Sequence, residues 1–427
     1  MTLDVRADRR YIRVGYRSNR YLLVDITAPT SHRAPTRTPL NAAFVLDRSG
    51  SMAGAKISLA RHAIDAAISA LGERDRFAVV AYDNTVDVVT PSVPATGANR
   101  AAASRELAAI DARGSTNLFE GWMRGCAEVA THQGVADAGM HRVLLMSDGL
   151  ANIGVTDRDE LVKHAGELWR RGVATWTFGF GADFDQDLME QLAFAGGGQS
   201  FYVESPQQIR DHVTNAVGEA LDVVARDVEL HIQAPDGVLV EPLGLFRSPR
   251  RGDVTVVELG DLVSDQQMRI VLKVNFPFGE PGAGITVGLS VADREAGLDR
   301  TGQSVTWVYA DGRTNDDQSR DREVDREVAR LYAAHAQKEA ALLNRKGDYQ
   351  GAHRAVEGVA RRIRGYAGQD PVLRDLLHDL EGADAQLVRP MPAAALKDIH
   401  YQASYAQRGR DMQGRAMKSV PDEHRPR

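Results

Sequence analysis

The sequence predicts an α/β protein: a doubly wound, mostly parallel sheet, joined to an antiparallel β-sandwich domain and a C-terminal helical region. Three observations carry this. Apolar strand-like runs alternate with amphipathic helical patterns from residue 41 to about 224. Short alternating runs punctuated by Gly, Pro and Asp then replace the helices from 227 to 309. Helical periodicity alone returns after 323. The expected parts of the 427-residue chain are an N-terminal β-hairpin within 1–37, the α/β domain over 38–225, the sandwich over 226–311, helices over 318–385 and a partly ordered tail over 386–427.

Element by element, Tyr11–Val14 and Tyr21–Val24 read as a hairpin about a Ser18-Asn19 turn. It is assigned to the sandwich, because an isolated hairpin is marginal in water. The α/β domain is then an insertion into the β domain. A Pro/Thr-rich linker over 28–39 follows. Strands are expected at 42–47, 76–82, 142–147, 173–180 and 200–204, with an edge strand at 85–90. Helices are expected at 55–71, 99–111, 117–132, 157–171, 185–195 and 206–224. Sandwich strands fall at 228–232, 254–259, 268–274, 286–291 and 304–308. A polar linker over 312–322 leads to helices at 323–344, 348–364 and about 371–380, the first two forming an antiparallel pair.

Composition narrows the function. Lys and Arg number 52 against 58 Asp and Glu, a net charge of −6, with no strongly basic domain; nucleic-acid binding has no electrostatic support. No run approaches eighteen apolar residues, so no membrane span is expected. The single cysteine, Cys126, sits in an apolar helical pattern and reads as a small core residue. The charged N-terminus does not resemble a secretory signal. A cytoplasmic setting is expected.

The most informative segment is Asp47-Arg48-Ser49-Gly50-Ser51, which ends the unbroken apolar run Ala42–Leu46. Ligands of open α/β sheets bind outside the carboxyl ends of the strands. A carboxylate and two hydroxyls in that place suit a hard cation, which takes oxygen donors. Two further oxygen sites follow: Thr116 in the Gly114–Asn117 loop, and Asp148 in Ser147-Asp148-Gly149 after another strand. Each residue alone reads as a turn or helix cap. Five on three strand ends read as a metal site: Asp47, Ser49, Ser51, Thr116 and Asp148. Gly50 is expected to permit the tight turn.

Asp-x-Ser-x-Ser, a later Thr in a Gly-rich loop and Asp in Ser-Asp-Gly resemble the metal-ion-dependent adhesion site of von Willebrand factor type A domains. The similarity spans about residues 38–225, including the Gly179-Phe180-Gly181 strand end; Gly-Ser-Thr stands where Gly-Gly-Thr is frequent. The resemblance implies Mg²⁺, with Mn²⁺ or Ca²⁺ as alternatives, held directly by Ser49 and Ser51 and directly or through water by Asp47, Thr116 and Asp148. It implies a protein partner that supplies an Asp or Glu to the metal. The expected role is a binding module, acting as an intracellular scaffold or assembly factor and not an enzyme. The resemblance also includes proteins that work with a separate AAA+ ATPase, a second reading, since this chain has no P-loop of its own.

Other residues read more plainly. Asp183, Asp185 and Asp187 suggest a second cation less well than helix capping. His62, His141 and His164 are scattered, which disfavours zinc. No Gly-x-Ser-x-Gly elbow and no base near Ser49 or Ser51 support nucleophilic catalysis. Tyr401, Ser404 and Tyr405 are placed in the tail, with modification the less favoured reading.

Overall fold

The computed structural model describes residues 1–30, 38–132, 139–148, 152–181, 184–204, 206–293 and 301–419. The chain divides into two compact units, Met1–Arg33 with Val223–Arg427, and Ala34–Asp222. Three strands come first: β1 (Thr2–Ala7), β2 (Tyr11–Arg13) and β3 (Ser18–Thr27).

The inserted unit carries β4 (Leu40–Asp47), α1 (Ala55–Ala70), β5 (Arg76–Tyr82), β6 (Val86–Pro94), α2 (Gly97–Ala108), α3 (Leu118–Ala130), β7 (Met140–Ser147), α4 (Arg158–Arg170), β8 (Val173–Phe180), α5 (Gln186–Ala195), β9 (Gly197–Val203) and α6 (Pro206–Leu221). Its sheet runs β6-β5-β4-β7-β8-β9. All pairs are parallel except the edge strand β6, which returns antiparallel along β5. All eight residues of β4 are buried, which is why its sequence is continuously apolar rather than alternating. Ala43 and Val45 belong to one apolar cluster with Trp122, Cys126 and Val129 of α3 and with apolar residues of α4 and α5. The alternate side chains Phe44 and Leu46 are equally buried, so both faces of the sheet are covered. This places the carboxyl ends of β4, β5, β7 and β8 along one rim.

The other unit resumes with β10 (Val223–Gln233), β11 (Leu239–Pro242), β12 (Arg250–Arg251), β13 (Val254–Val263), β14 (Gln267–Phe276), β15 (Gly284–Ala292) and β16 (Gly302–Ala310). Two sheets, β1-β3-β14-β11 and β12-β13-β10-β15-β16-β2, share one apolar core that includes Val24, Ile270, Leu230, Leu289 and Trp307. Helices α7 (Gly312–Asp317), α8 (Arg322–Arg345), α9 (Tyr349–Ala367), α10 (Pro371–Leu387) and α11 (Ala393–Gln407) follow. Val324, Val328 and Leu331 of α8 cover Leu23 and Val271 on the outer face of the first sheet.

Several expectations are corrected. β2 and β3 form no hairpin: β3 is flanked by β1 and β14, which satisfy both its edges, while β2 pairs with β16 in the other sheet, and in parallel. Strand β1 went unread. Residues 312–317, read as linker, form α7 capped by Asp311. Residues 393–407, read as tail, form α11, which buries Tyr401, Ser404 and Tyr405. Ser404 Oγ donates to the His400 carbonyl and accepts from Lys338 Nζ at 2.9 Å. A modification reading there lacks the exposure it needs. The middle of the 28–39 linker and the last eight residues of the tail lie outside the described residues.

Candidate metal centre at the strand ends

Asp47 is the last residue of β4 and is fully buried. Its Oδ1 accepts the Ser49 amide at 2.8 Å, and its Oδ2 accepts Ser147 Oγ at 2.6 Å. Ser49 Oγ lies 3.0 Å from Ser51 Oγ, and Ser51 Oγ donates to Asp148 Oδ1 at 2.7 Å. Asp148 follows β7, the parallel neighbour of β4, so adjacency in the sheet brings residues a hundred positions apart to one spot. Ser51 is exposed while Asp47 and Asp148 are buried, giving a cluster that is acidic at its base and hydroxyl-lined at its mouth.

The third loop is tied in through its backbone. The Gly50 amide donates to the Gly114 carbonyl at 3.0 Å, and the Arg113 amide donates to the Arg48 carbonyl at 2.6 Å. Thr116 is buried beside this zipper. Its amide donates to Asn152 Oδ1 at 3.0 Å, and its carbonyl accepts the amides of Asn152 and Ile153. Asp47, Ser49, Ser51 and Asp148 are thus brought together by side-chain contacts, and Thr116 by loop pairing. Gly149 lies outside the described residues.

Gly50 is corrected: its φ is not in the left-handed region, and an added Cβ would sit 3.5 Å from the Gly114 oxygen. The left-handed position is Gly114 itself, at φ 70°, where a Cβ would fall 2.2 Å from Asn84 Oδ1.

Electrostatics divide the acids. Burial pushes the Asp47 carboxyl up to about 6, aided by the nearby Asp148 charge and opposed by the Ser147 and Ser49 hydrogen bonds. Asp83, just past β5, is also buried, yet Thr85, Arg113 and Arg48 outweigh that burial and hold it down at about 2. Arg48 and Arg113 both reach Asp87 as well, so four charged side chains brace the Asp47–Ser51 loop and the Thr116 loop.

Residues that sequence reasoning missed are Ser147, Asn152, Arg48, Asp83 and Lys56. Lys56 Nζ pairs with Asp148 Oδ2 and reaches the Ser51 carbonyl at 3.2 Å. The only available signal was proximity in sequence to a ligand loop, which is not specific. The weaker candidates resolve plainly. Asp185 caps α5 through the Leu188 amide and pairs with Arg158, and Asp183 lies outside the described residues. His62 bonds the Ser58 carbonyl within α1, His141 meets Asn41, and His164 packs on Phe119. Burial raises the Cys126 thiol far above its ordinary range.

The donor set fits a divalent cation. Two carboxylates and three hydroxyls suit an oxygen-preferring ion. Among the described residues Asp47 receives two hydrogen bonds and meets no basic side chain, so burial leaves its charge under-compensated.

Comparison with known proteins agrees with this fold. Residues 41–215 match the von Willebrand factor type A domain, and the chain therefore carries one. Such domains are protein-interaction modules. The protein sll0103 of Synechocystis is 29% identical over 59% of this chain and 63% of its own length. The inter-alpha-trypsin inhibitor heavy chain H1 of Sus scrofa is 28% identical over 53% of this chain and 26% of its own. The chain thus spans less than two thirds of either relative. The solved structure of a von Willebrand factor type A protein from Catenulispora acidiphila matches 91% of this chain and 97% of its own, with a TM-score of 0.70 and 17% identity, a likeness of fold. Among the described residues, no helix is long and apolar enough to cross a membrane.

Proposed function

We propose that Asp47, Ser49, Ser51, Thr116 and Asp148 hold Mg²⁺, with Mn²⁺ or Ca²⁺ as alternatives, and that the site captures an Asp or Glu side chain of a partner protein. The observation that carries this is the convergence of the Ser49, Ser51 and Asp148 oxygens, within 3.0 Å of their neighbours, above a buried Asp47 that meets no basic side chain among the described residues. When bound, the ion supplies a positive centre that two carboxylates and neutral hydroxyls leave incompletely compensated, attractive to an anionic oxygen. The chain's own residues do the rest. Ser147 and the Ser49 amide fix the Asp47 carboxylate, the Gly50–Gly114 and Arg113–Arg48 backbone bonds fix the loops, and Asn152 fixes Thr116.

Binding, rather than turnover, is the better reading. Ser51 donates to one oxygen of Asp148 and Lys56 engages the other, so both oxygens of that carboxylate are already occupied. On this reading the chain acts as an intracellular scaffold or assembly factor.

The test is metal-dependent stabilisation and capture. Millimolar Mg²⁺ raises the melting temperature of the full chain in EDTA-treated buffer, and Asp47→Ala abolishes the rise. Partners recovered by affinity purification in Mg²⁺ are lost in EDTA and in Asp47→Ala. Capture that persists equally in metal-free buffer would overturn the proposal.

A further inference from the structure

Lys56 stands in the first turn of α1, where the helix dipole disfavours a positive charge. Its ammonium nonetheless meets Asp148 Oδ2 and the Ser51 carbonyl, and the end of its stem lies against Gly181, at 3.2 Å from a Cβ placed there. The Asp148 side chain is wholly buried while that of Lys56 is one-third exposed, so the lysine reaches inward to the acid. Of the two acids at the site, Asp148 has this cation and Asp47 has none among the described residues.

We propose that Lys56 is the resident counter-cation of the site: it anchors Asp148 in metal-free protein and competes with a divalent ion for that carboxylate, so it sets the affinity for metal. The inference rests on the metal-binding reading above and adds a determinant to it. Asp47, Asp148 and Lys56 together carry a net charge of −1, whereas without Lys56 the two acids carry −2. A divalent ion therefore enters against one neighbouring positive charge, and such a repulsion at a partly exposed site is large enough to alter affinity about tenfold. Lys56 also leaves the loaded rim more positive, which favours an acidic partner group.

Manganese alone is the probe. It is titrated into the full-length protein, and free Mn²⁺ is followed by electron paramagnetic resonance for wild type, Lys56→Met, Lys56→Gln and Lys56→Arg. Met and Gln keep most of the stem without the charge, and Arg keeps the charge; melting curves identify the variants that remain folded. The expected result is binding about tenfold tighter for the folded neutral variants and within about twofold of wild type for Lys56→Arg. Unchanged or weaker binding in the neutral variants would overturn the competition while leaving the metal reading in place. Failure of wild type and all variants to bind at millimolar Mn²⁺ would overturn the metal reading and this inference with it.

Discussion

Asp83 and Asp47 occupy the ends of neighbouring strands, are equally buried, and have opposite surroundings. Asp83 receives two guanidinium groups and the amide and hydroxyl of Thr85, and stays ionised down to about pH 2. Asp47 receives one amide and one hydroxyl, and its ionised form is disfavoured below about pH 6. A buried acid whose cations are built in is a brace. One that is hydrogen-bonded but lacks a cation is poised to receive one. The contrast separates Asp83 from Asp47 without reference to any motif, and Asp148, with Lys56 as its single cation, stands between the two.

The largest effect expected is at the brace. Asp83→Ala leaves Arg48, whose side chain is 9% exposed, with the half-exposed Asp87 alone, and removes the carboxylate that Arg48, Arg113 and Thr85 share; a loss of about 3 kcal/mol is expected in urea denaturation. Asp47→Asn should act in the reverse sense in EDTA. It removes a disfavoured buried charge and raises metal-free stability at pH 7 by on the order of 2 kcal/mol, while eliminating stabilisation by Mg²⁺. A loss of metal-free stability comparable to that of Asp83→Ala would erase the distinction.

The pH dependence sharpens it. The Asp47 pKa is raised on folding, from 3.8 to about 6, so folded protein binds more protons than unfolded between those values. Its contribution makes metal-free protein lose stability as pH rises from about 4 to about 6. Asp83 is lowered on folding, from 3.8 to about 2, so its contribution is present above about 4 and is lost as pH falls towards 2. Melting wild type and Asp47→Asn in EDTA across pH 4–7 should give a gap that widens up to about pH 6 and then levels. A gap that does not change with pH would assign the stability difference to packing rather than charge.

The same contrast explains what could be read from the chain. Strand β4 was legible because a parallel strand covered on both faces is apolar at every position, and Ala42–Leu46 has no other simple reading. The meeting of Asp47, Ser49, Ser51 and Asp148 was legible because chain order fixes which ends of parallel strands share a rim. Pairing between strands was less so: Tyr11–Arg13 looks like half of a hairpin until β1 and β14 claim both sides of β3, and β14 lies more than 240 positions from Tyr11–Arg13. Helix α11 escaped because its buried face carries Lys397, His400, Ser404 and Gln407, which mimic a solvated tail. Lys56 and Asn152 escaped because their roles depend on where folded loops place them, and an isolated Lys or Asn carries no periodicity.

Glycine supplies the smallest test of which contacts the loops require. Gly114→Ala forces a left-handed residue to carry a Cβ that meets Asn84, and should cost about 1–2 kcal/mol together with weaker Mg²⁺ stabilisation, because the Thr116 loop must shift. Gly50→Ala needs neither a change of backbone region nor new space, and it keeps the amide that bonds Gly114. Its stability should stay within about 0.5 kcal/mol of wild type and its Mg²⁺ response unchanged. If Gly50→Ala instead abolished the Mg²⁺ response with stability intact, the glycine between the two serines would be needed for access to the site, and the rim would be tighter than the Gly50–Gly114 spacing indicates.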